Sequence, residues 1–335
     1  MSNLILTDDD LIKAFIPPEG AEKALLVDGH VDLTYFMMSL PGNPHLSTLE
    51  EGPFTLEKMK ASGCRLFAGA LYCQDTFNGE RSLSHLKKIL DFTLTRFDEI
   101  SILKNRRDLE KIKGAPDSAG TLLLLENADA LAGNLLFMDA LRAAGVWIVG
   151  LTHMGQNRLG DGNAVPFSEG LTGEGRAVIR ALKKNGFLID TAHLHPKCFW
   201  QLMDLVESPL ITSHTGIREA CNTPRNIDLE QAGEIVARKG LIGLTFNPEM
   251  LSPEGNAGVE DIFVHLDLVV QKFGPECAGL GSDFCGFEKA ARGMEDITEV
   301  PNLVRIMLDH GYGEDAVGKI MGLNWLRLFE DLLSS

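Results

Sequence analysis

Eight short apolar runs, each bounded by turn residues and separated by stretches of helical periodicity, constrain this chain more than any other feature. They are Ala24–Val27, Arg65–Leu71, Thr121–Leu125, Val146–Leu151, Phe187–Asp190, Leu210–Thr212, Leu241–Phe246 and Ala278–Gly281. Leu, Ile, Val and Ala dominate them without polar alternation, the pattern of parallel strands covered on both faces. The segments between them carry helix grammar. Asp139–Ala144 ends at Gly145, and Gly175–Asn185 has Lys183 and Lys184 in its last turn before Gly186, an order that suits a left-handed cap and the helix dipole. Leu229–Lys239 before Gly240 and Val259–Phe273 before Gly274 follow the same order. Strand and helix repeated eight times predict an α/β fold, a (β/α)8 TIM barrel. The 335 residues read as one such domain, because barrels often reach this length as a single unit. Residues 1–20 read as an N-terminal extension and about 289–335 as added C-terminal helices, Val300–His310 and Glu314–Leu333. An open doubly wound sheet is the rival, but no Gly-x-Gly-x-x-Gly follows the first run.

The residues that end these runs point to chemistry. His30 and Asp32 follow the first, Glu126 the third, His153 the fourth, His193 the fifth, His214 the sixth and Asp283 the eighth. In a barrel these positions surround one mouth, where active sites are built. His30 and Asp32, two apart on an extended chain, leave the same face. Each residue also has a plainer reading: Glu126 as a salt-bridge partner, His193 as a core histidine, Asp283 as a helix cap. Their shared register is what favours a site. His45, His85, His265 and His310 fall in loops or helices and read as solvated or capping residues, while His195 stands before Pro196, which opens a helix.

The 31 basic against 47 acidic residues give a net charge of −16. Such a surface repels nucleic acid and anionic lipid, so neither is expected as a partner. The six cysteines contain no Cys-x-x-Cys pair and suggest free thiols in a reducing compartment. The N-terminus lacks the pattern of a secretory signal and no apolar run is long enough to span a membrane, so the chain reads as cytoplasmic.

Taken in order, Asp28-Gly29-His30-Val31-Asp32, the Glu126 strand end, Leu151-Thr152-His153, Ile189-Asp190-Thr191-Ala192-His193, Ser213-His214-Thr215 and Gly281-Ser282-Asp283-Phe284 resemble the motifs of the renal (membrane) dipeptidase family, in the metal-dependent amidohydrolase superfamily. Gly170-Leu171-Thr172, Arg225-Asn226 and the tail Gly322-Leu323-Asn324-Trp325-Leu326-Arg327 extend the resemblance over nearly the whole chain. It implies two Zn2+ ions, or other divalent metals. His30 and Asp32 would hold one, His193 and His214 the other, and Glu126 would bridge them. A hydroxide shared by the ions would attack the amide of a small dipeptide, L-D dipeptides included. Asp283 would carry the proton to the leaving amine, His153 would bind the oxyanion, and Arg225 would take the substrate's terminal carboxylate. A homodimer is the expected assembly.

The sequence departs from that family at three places. Val31 replaces the usual Asn, Cys285 stands where a second Asp is common, and Leu33-Thr34-Tyr35-Phe36 lacks the usual proline. The loop Gly155–Glu169 reads as a substrate-facing lid. Another amidohydrolase reaction, such as N-acyl amino acid deacylation or lactone hydrolysis, would use the same ligands. A barrel that binds metal or a small ligand without turnover is the remaining alternative.

Overall fold

The computed structural model describes residues 25–115 and 117–334; the N-terminal extension and Ala24 lie outside the described residues. Nine strands occur among them: β1 (Leu26–Val31), β2 (Cys64–Tyr72), β3 (Ser101–Ile102), β4 (Gly120–Glu126), β5 (Val146–Gly150), β6 (Leu188–Asp190), β7 (Leu210–Thr215), β8 (Leu241–Leu244) and β9 (Ala278–Leu280). All eight predicted runs form strands. β1, β2 and β4–β9 pair in parallel, each with its neighbours, and contacts of β1 with both β2 and β9 and of β2 with β4 close the ring. The result is the expected (β/α)8 barrel. β3 was not expected. Its two residues lie outside the ring and pair with the start of β4, below the level where β5 joins that edge; with Ser101 interrupting Ile100, Ile102 and Leu103, the apolar stretch is too short to reveal it.

The helices obey most of the local rules that predicted them, but after Leu229–Ala237 it is Lys239, with φ of 58°, and not Gly240 that takes the left-handed conformation. Gly145 caps Phe137–Ala144 with φ of 98°, a left-handed conformation that glycine adopts without strain. Thr172 caps Gly173–Lys184 by accepting from the Gly175 N–H, and Asp228 with Gln231 makes a capping box on Leu229–Ala237. Most of the apolar core lies between strands and surrounding helices.

A second cluster fills the ring itself. Val27, Leu66, Ala68, Leu122, Leu124, Ile148, Leu188, Ile211 and Leu241 pack there with Trp325, Leu326, Leu328 and Phe329 of the C-terminal helix Asn324–Leu333. That helix is therefore part of the core and not an appendage. Trp325 is fully buried and its Nε1 donates to the Leu280 carbonyl at 2.7 Å. The space for its ring exists because residues 29 and 279 are glycine: a Cβ at Gly29 would lie 2.0 Å from a ring carbon, and one at Gly279 2.6 Å from Nε1.

His265 also departs from expectation. It is fully buried, accepts from the Ile217 N–H at 2.7 Å, and its Nε2 lies 3.1 Å from the Leu251 carbonyl, tying three segments together. Pro196 opens the helix Pro196–Met203 as expected, and His195 caps it by accepting from the Lys197 N–H. No helix among the described residues is long and apolar enough to cross a membrane.

Candidate metal centre

Strand register carries the candidate residues to one level at the carboxyl ends of the strands. Tyr72 pairs directly with Glu126, and Gly150 with Asp190. His30 lies inside β1 and Asp32 just after it; His214 lies inside β7. His193 and Asp283 follow β6 and β9 in left-handed backbone, with φ of 63° and 65°. Asn127 and Cys285, also left-handed, lie beside the site. Non-glycine residues pay for that conformation, and such strain tends to gather where side chains must be aimed.

The side chains meet around Glu126. Its Oε1 is 2.9 Å from His193 Nε2 and 3.6 Å from His214 Nε2, while its Oε2 is 3.9 Å from His30 Nε2. His30 Nε2 is 3.5 Å from Asp32, and His214 Nε2 is 4.0 Å from Asp283. The two histidine Nε2 atoms of His193 and His214 are 3.1 Å apart. Among the described residues, three overlapping sets each bring their donor atoms within 4.8 Å of one another: His30, Glu126 and His214; Glu126, His153 and His193; His30, Asp32 and Asp283. His30 Nε2 and Asp32 Oδ1 are buried and lack a hydrogen-bond partner. Orphaned polar atoms of this kind are costly unless something charged sits among them.

The electrostatics agree. Burial lifts Glu126 to about 7, and burial with the Asp32 carboxylate pushes Asp283 well above the usual range. Burial disfavours a charged His30, but Asp32 and Glu126 outweigh it and raise the imidazole to about 10. The carboxylates thus draw protons into the cluster, and a divalent cation satisfies the same excess of negative charge. Burial, Arg225 and the neighbouring histidines hold His193 and His214 well below their ordinary value, which keeps them neutral as ligation requires. Donors that are all nitrogen and oxygen, without thiolate, suit zinc in a catalytic site.

Ser213 and Asp190 set which nitrogen each imidazole presents. Ser213 Oγ donates to Asp190 Oδ2 at 2.6 Å and lies 3.0 Å from His30 Nδ1 and 2.8 Å from His214 Nδ1. A hydroxyl has one proton and two lone pairs. With its proton on the carboxylate, both lone pairs accept, so both histidines carry hydrogen on Nδ1. His214 then presents an unprotonated Nε2 to the cluster, and His30 does so once a cation displaces the proton that Asp32 and Glu126 hold there. Asp190 is itself fixed by the backbone N–H groups of Ala192 and Ser213 on Oδ1. Ser213 lies in β7, where its hydroxyl stands between the two imidazoles.

His153 has its own orienting carboxylate. Its Nδ1 is 3.1 Å from Asp75 Oδ2, which also accepts from the Gly155 N–H. Although burial acts upward, these bonds hold Asp75 below the usual carboxylate range. Half-buried Arg225 lines the cleft and donates to the His214 carbonyl at 3.1 Å. The cleft measures about 710 Å³, with Asn163 and Ala164 of the Gly155–Glu169 loop, and Met154 just before it, on one wall. This loop is pinned: Arg158 pairs with buried Asp129 at 2.8 Å, and the backbones of residues 162 and 194 bridge. It is a wall and not the expected lid. Val31 points into the outer core, as alternation required.

The whole of residues 21–334 matches the model for the membrane dipeptidase family, peptidase family M19. The chain belongs to that family. Membership makes it a metal-dependent dipeptidase. Dipeptidase tcpJ of Claviceps purpurea is 26% identical over 310 residues, covering 91% of this chain and 69% of that protein. Dipeptidase verJ of Clonostachys rogersoniana is 26% identical over 352 residues, covering 99% and 89%. Among solved structures, the M19 metallopeptidase dipeptidase AC has a TM-score of 0.82 at 22% identity, over 92% of this chain and 97% of that one. A Rhodobacter sphaeroides metallopeptidase, solved with a phosphinate mimic of L-Ala-D-Ala, also gives 0.82 at 22% identity, over 92% and 98%.

Proposed function

We propose that this family member hydrolyses small dipeptides, L-D dipeptides included, at a two-zinc centre at the mouth of a single barrel domain. His30 and Asp32 would hold one ion, His193 and His214 the other, and Glu126 would bridge. The observation that carries this reading is the division of Glu126, one oxygen toward His30 and the other toward His193 and His214. When bound, the cations supply Lewis acidity to the scissile carbonyl and to the attacking water.

The chain's own residues do the rest. Arg225 forks onto the substrate's terminal carboxylate and fixes that end of the dipeptide. Asp283, buried and readily protonated, takes the proton of the attacking water and delivers it to the departing amine. His153 faces the developing oxyanion. The Asp75 carboxylate beside Nδ1 fixes the orientation of its ring toward that position. All six cysteines are free and buried, which supports a reducing, cytoplasmic setting; a homodimer completes the proposal.

The test is a panel of L-L and L-D dipeptides presented to protein loaded with zinc and to protein stripped with chelator. Hydrolysis by the loaded sample alone supports the reading. Cleavage of N-acyl amino acids or lactones with no action on dipeptides would replace it by another amidohydrolase reaction, and silence on every substrate would leave a binding barrel.

A further inference from the structure

We propose that the cavity behind Tyr35 and Tyr72 is a subsite for a carboxylate side chain on the substrate's amino-terminal residue. This rests on the dipeptidase reading above. The cavity measures about 640 Å³ and adjoins the reaction cleft, because Tyr35 and Tyr72 line both. Their rings meet edge to face at 5.4 Å, and the Tyr72 hydroxyl is 3.5 Å from His153 Nδ1. The two tyrosines thus form the partition between the reacting groups and the space beyond.

Barrel order says which end of a dipeptide faces that partition. Around the ring the strands run β1, β2, β4, β5, β6, β7, β8, β9, so β2 stands opposite β7. Arg225 is on the loop after β7, and Tyr72 ends β2. A substrate whose terminal carboxylate sits on Arg225 therefore extends its amino-terminal residue across the mouth toward Tyr72 and Tyr35.

The chemistry beyond the partition is cationic. Arg81 and Lys88 line the cavity with His85, and among the described residues no Asp or Glu does. In a chain of net charge −16 that is a local reversal of sign. The guanidinium of Arg81 lies over the Phe77 ring at 5.2 Å and is tethered to the Thr76 carbonyl. His85 stacks on Phe77 at 3.8 Å, nearly parallel, and its Nε2 is buried with no hydrogen-bond partner. Burial and the Lys88 charge hold His85 below its ordinary value, so the lysine and arginine supply the charge and the neutral imidazole offers a hydrogen bond. Polar contacts of this kind single out a carboxylate over its amide, which is the same size.

The experiment compares kcat/KM of the zinc-loaded enzyme for Glu-Ala, Gln-Ala, Lys-Ala and Ala-Ala. The wild-type enzyme is expected to favour Glu-Ala over Gln-Ala by about threefold to fivefold, the upper scale of an exposed charge interaction, and to disfavour Lys-Ala. In the double variant Arg81→Ala, Lys88→Ala that preference collapses while Ala-Ala turnover is unchanged. Equal rates on Glu-Ala and Gln-Ala in the wild type, or a preference that survives the double variant, would overturn the subsite. Failure to cleave any of the four, Ala-Ala included, would bring down the dipeptidase reading and the subsite with it.

Discussion

Replacing Asp190 by Asn is a minimal perturbation with an asymmetric consequence. The Asp190 Oδ1 position accepts from two backbone N–H groups, at 2.8 and 3.0 Å, so the Asn carbonyl oxygen stays there. Its NH2 then faces Ser213 Oγ and donates to it. The hydroxyl has spent one lone pair and must turn its own proton toward His30 Nδ1 or His214 Nδ1. That histidine now accepts on Nδ1 and carries its hydrogen on Nε2, the nitrogen aimed at Glu126. One half of the centre loses a ligand; the other keeps it. Recovering the ligand leaves the hydroxyl proton buried without a partner, a cost of about 1–3 kcal/mol. The expected loss of affinity is about 10–100-fold at one ion only, the usual range for groups that orient metal ligands. Zinc per chain is measured by mass spectrometry after dialysis at a series of buffered zinc concentrations, with thermal melts as the control for folding. Asp190→Asn should show one tight and one weakened ion. Ser213→Ala, which frees both imidazoles without forcing either, should weaken both ions modestly and alike. Two ions bound by Asp190→Asn with wild-type affinity would refute the hydrogen-bond assignment.

Three other perturbations probe the site and the fold. Arg225→Met should raise KM for dipeptides by about 10–100-fold, the loss of a charged hydrogen-bonded pair, and leave a substrate without a carboxylate unaffected; steady-state kinetics on matched substrates decide this. Arg158→Ala strands the buried Asp129 carboxylate and should cost about 1–3 kcal/mol, read by urea unfolding. Burial pushes Asp129 up, but Arg158 and two N–H groups hold it below the usual range. The wild-type pair therefore stabilises the fold above the ordinary carboxylate pKa of about 4, and that stability fades as pH falls through the lowered value. The variant keeps the two N–H groups and should show a shallower acid-side slope. Trp325→Ala empties the base of the barrel and should cost about 3–5 kcal/mol, seen as a lowered unfolding midpoint.

Most of the fold was legible because each strand is a buried run of aliphatic residues and each intervening helix has a readable stop. The candidate ligands were legible for the same reason: a histidine or carboxylate at the end of a buried strand has few ways to be satisfied. What the sequence concealed depends on contacts made through space. Asp75 lies 78 residues from His153, and Ser213 stands 183 residues from His30; nothing local marks either as an orienting group. Only β7 places the Ser213 hydroxyl between two imidazoles. Trp325 in an amphipathic C-terminal helix reads as surface packing until Gly29 and Gly279 reveal the room made for its ring. His265 has the surroundings of an ordinary helix residue, and only the chain folded over it supplies its two backbone partners.

The central claim is that Glu126 joins two cation sites. Zinc titration of the purified chain, followed by anomalous diffraction at the zinc edge, tests it most directly. Two zinc peaks, with one Glu126 oxygen on each, His30 and Asp32 at the first and His193 and His214 at the second, are the predicted result. A single ion, or zinc bound away from Glu126 while the chain still cleaves dipeptides, would contradict it.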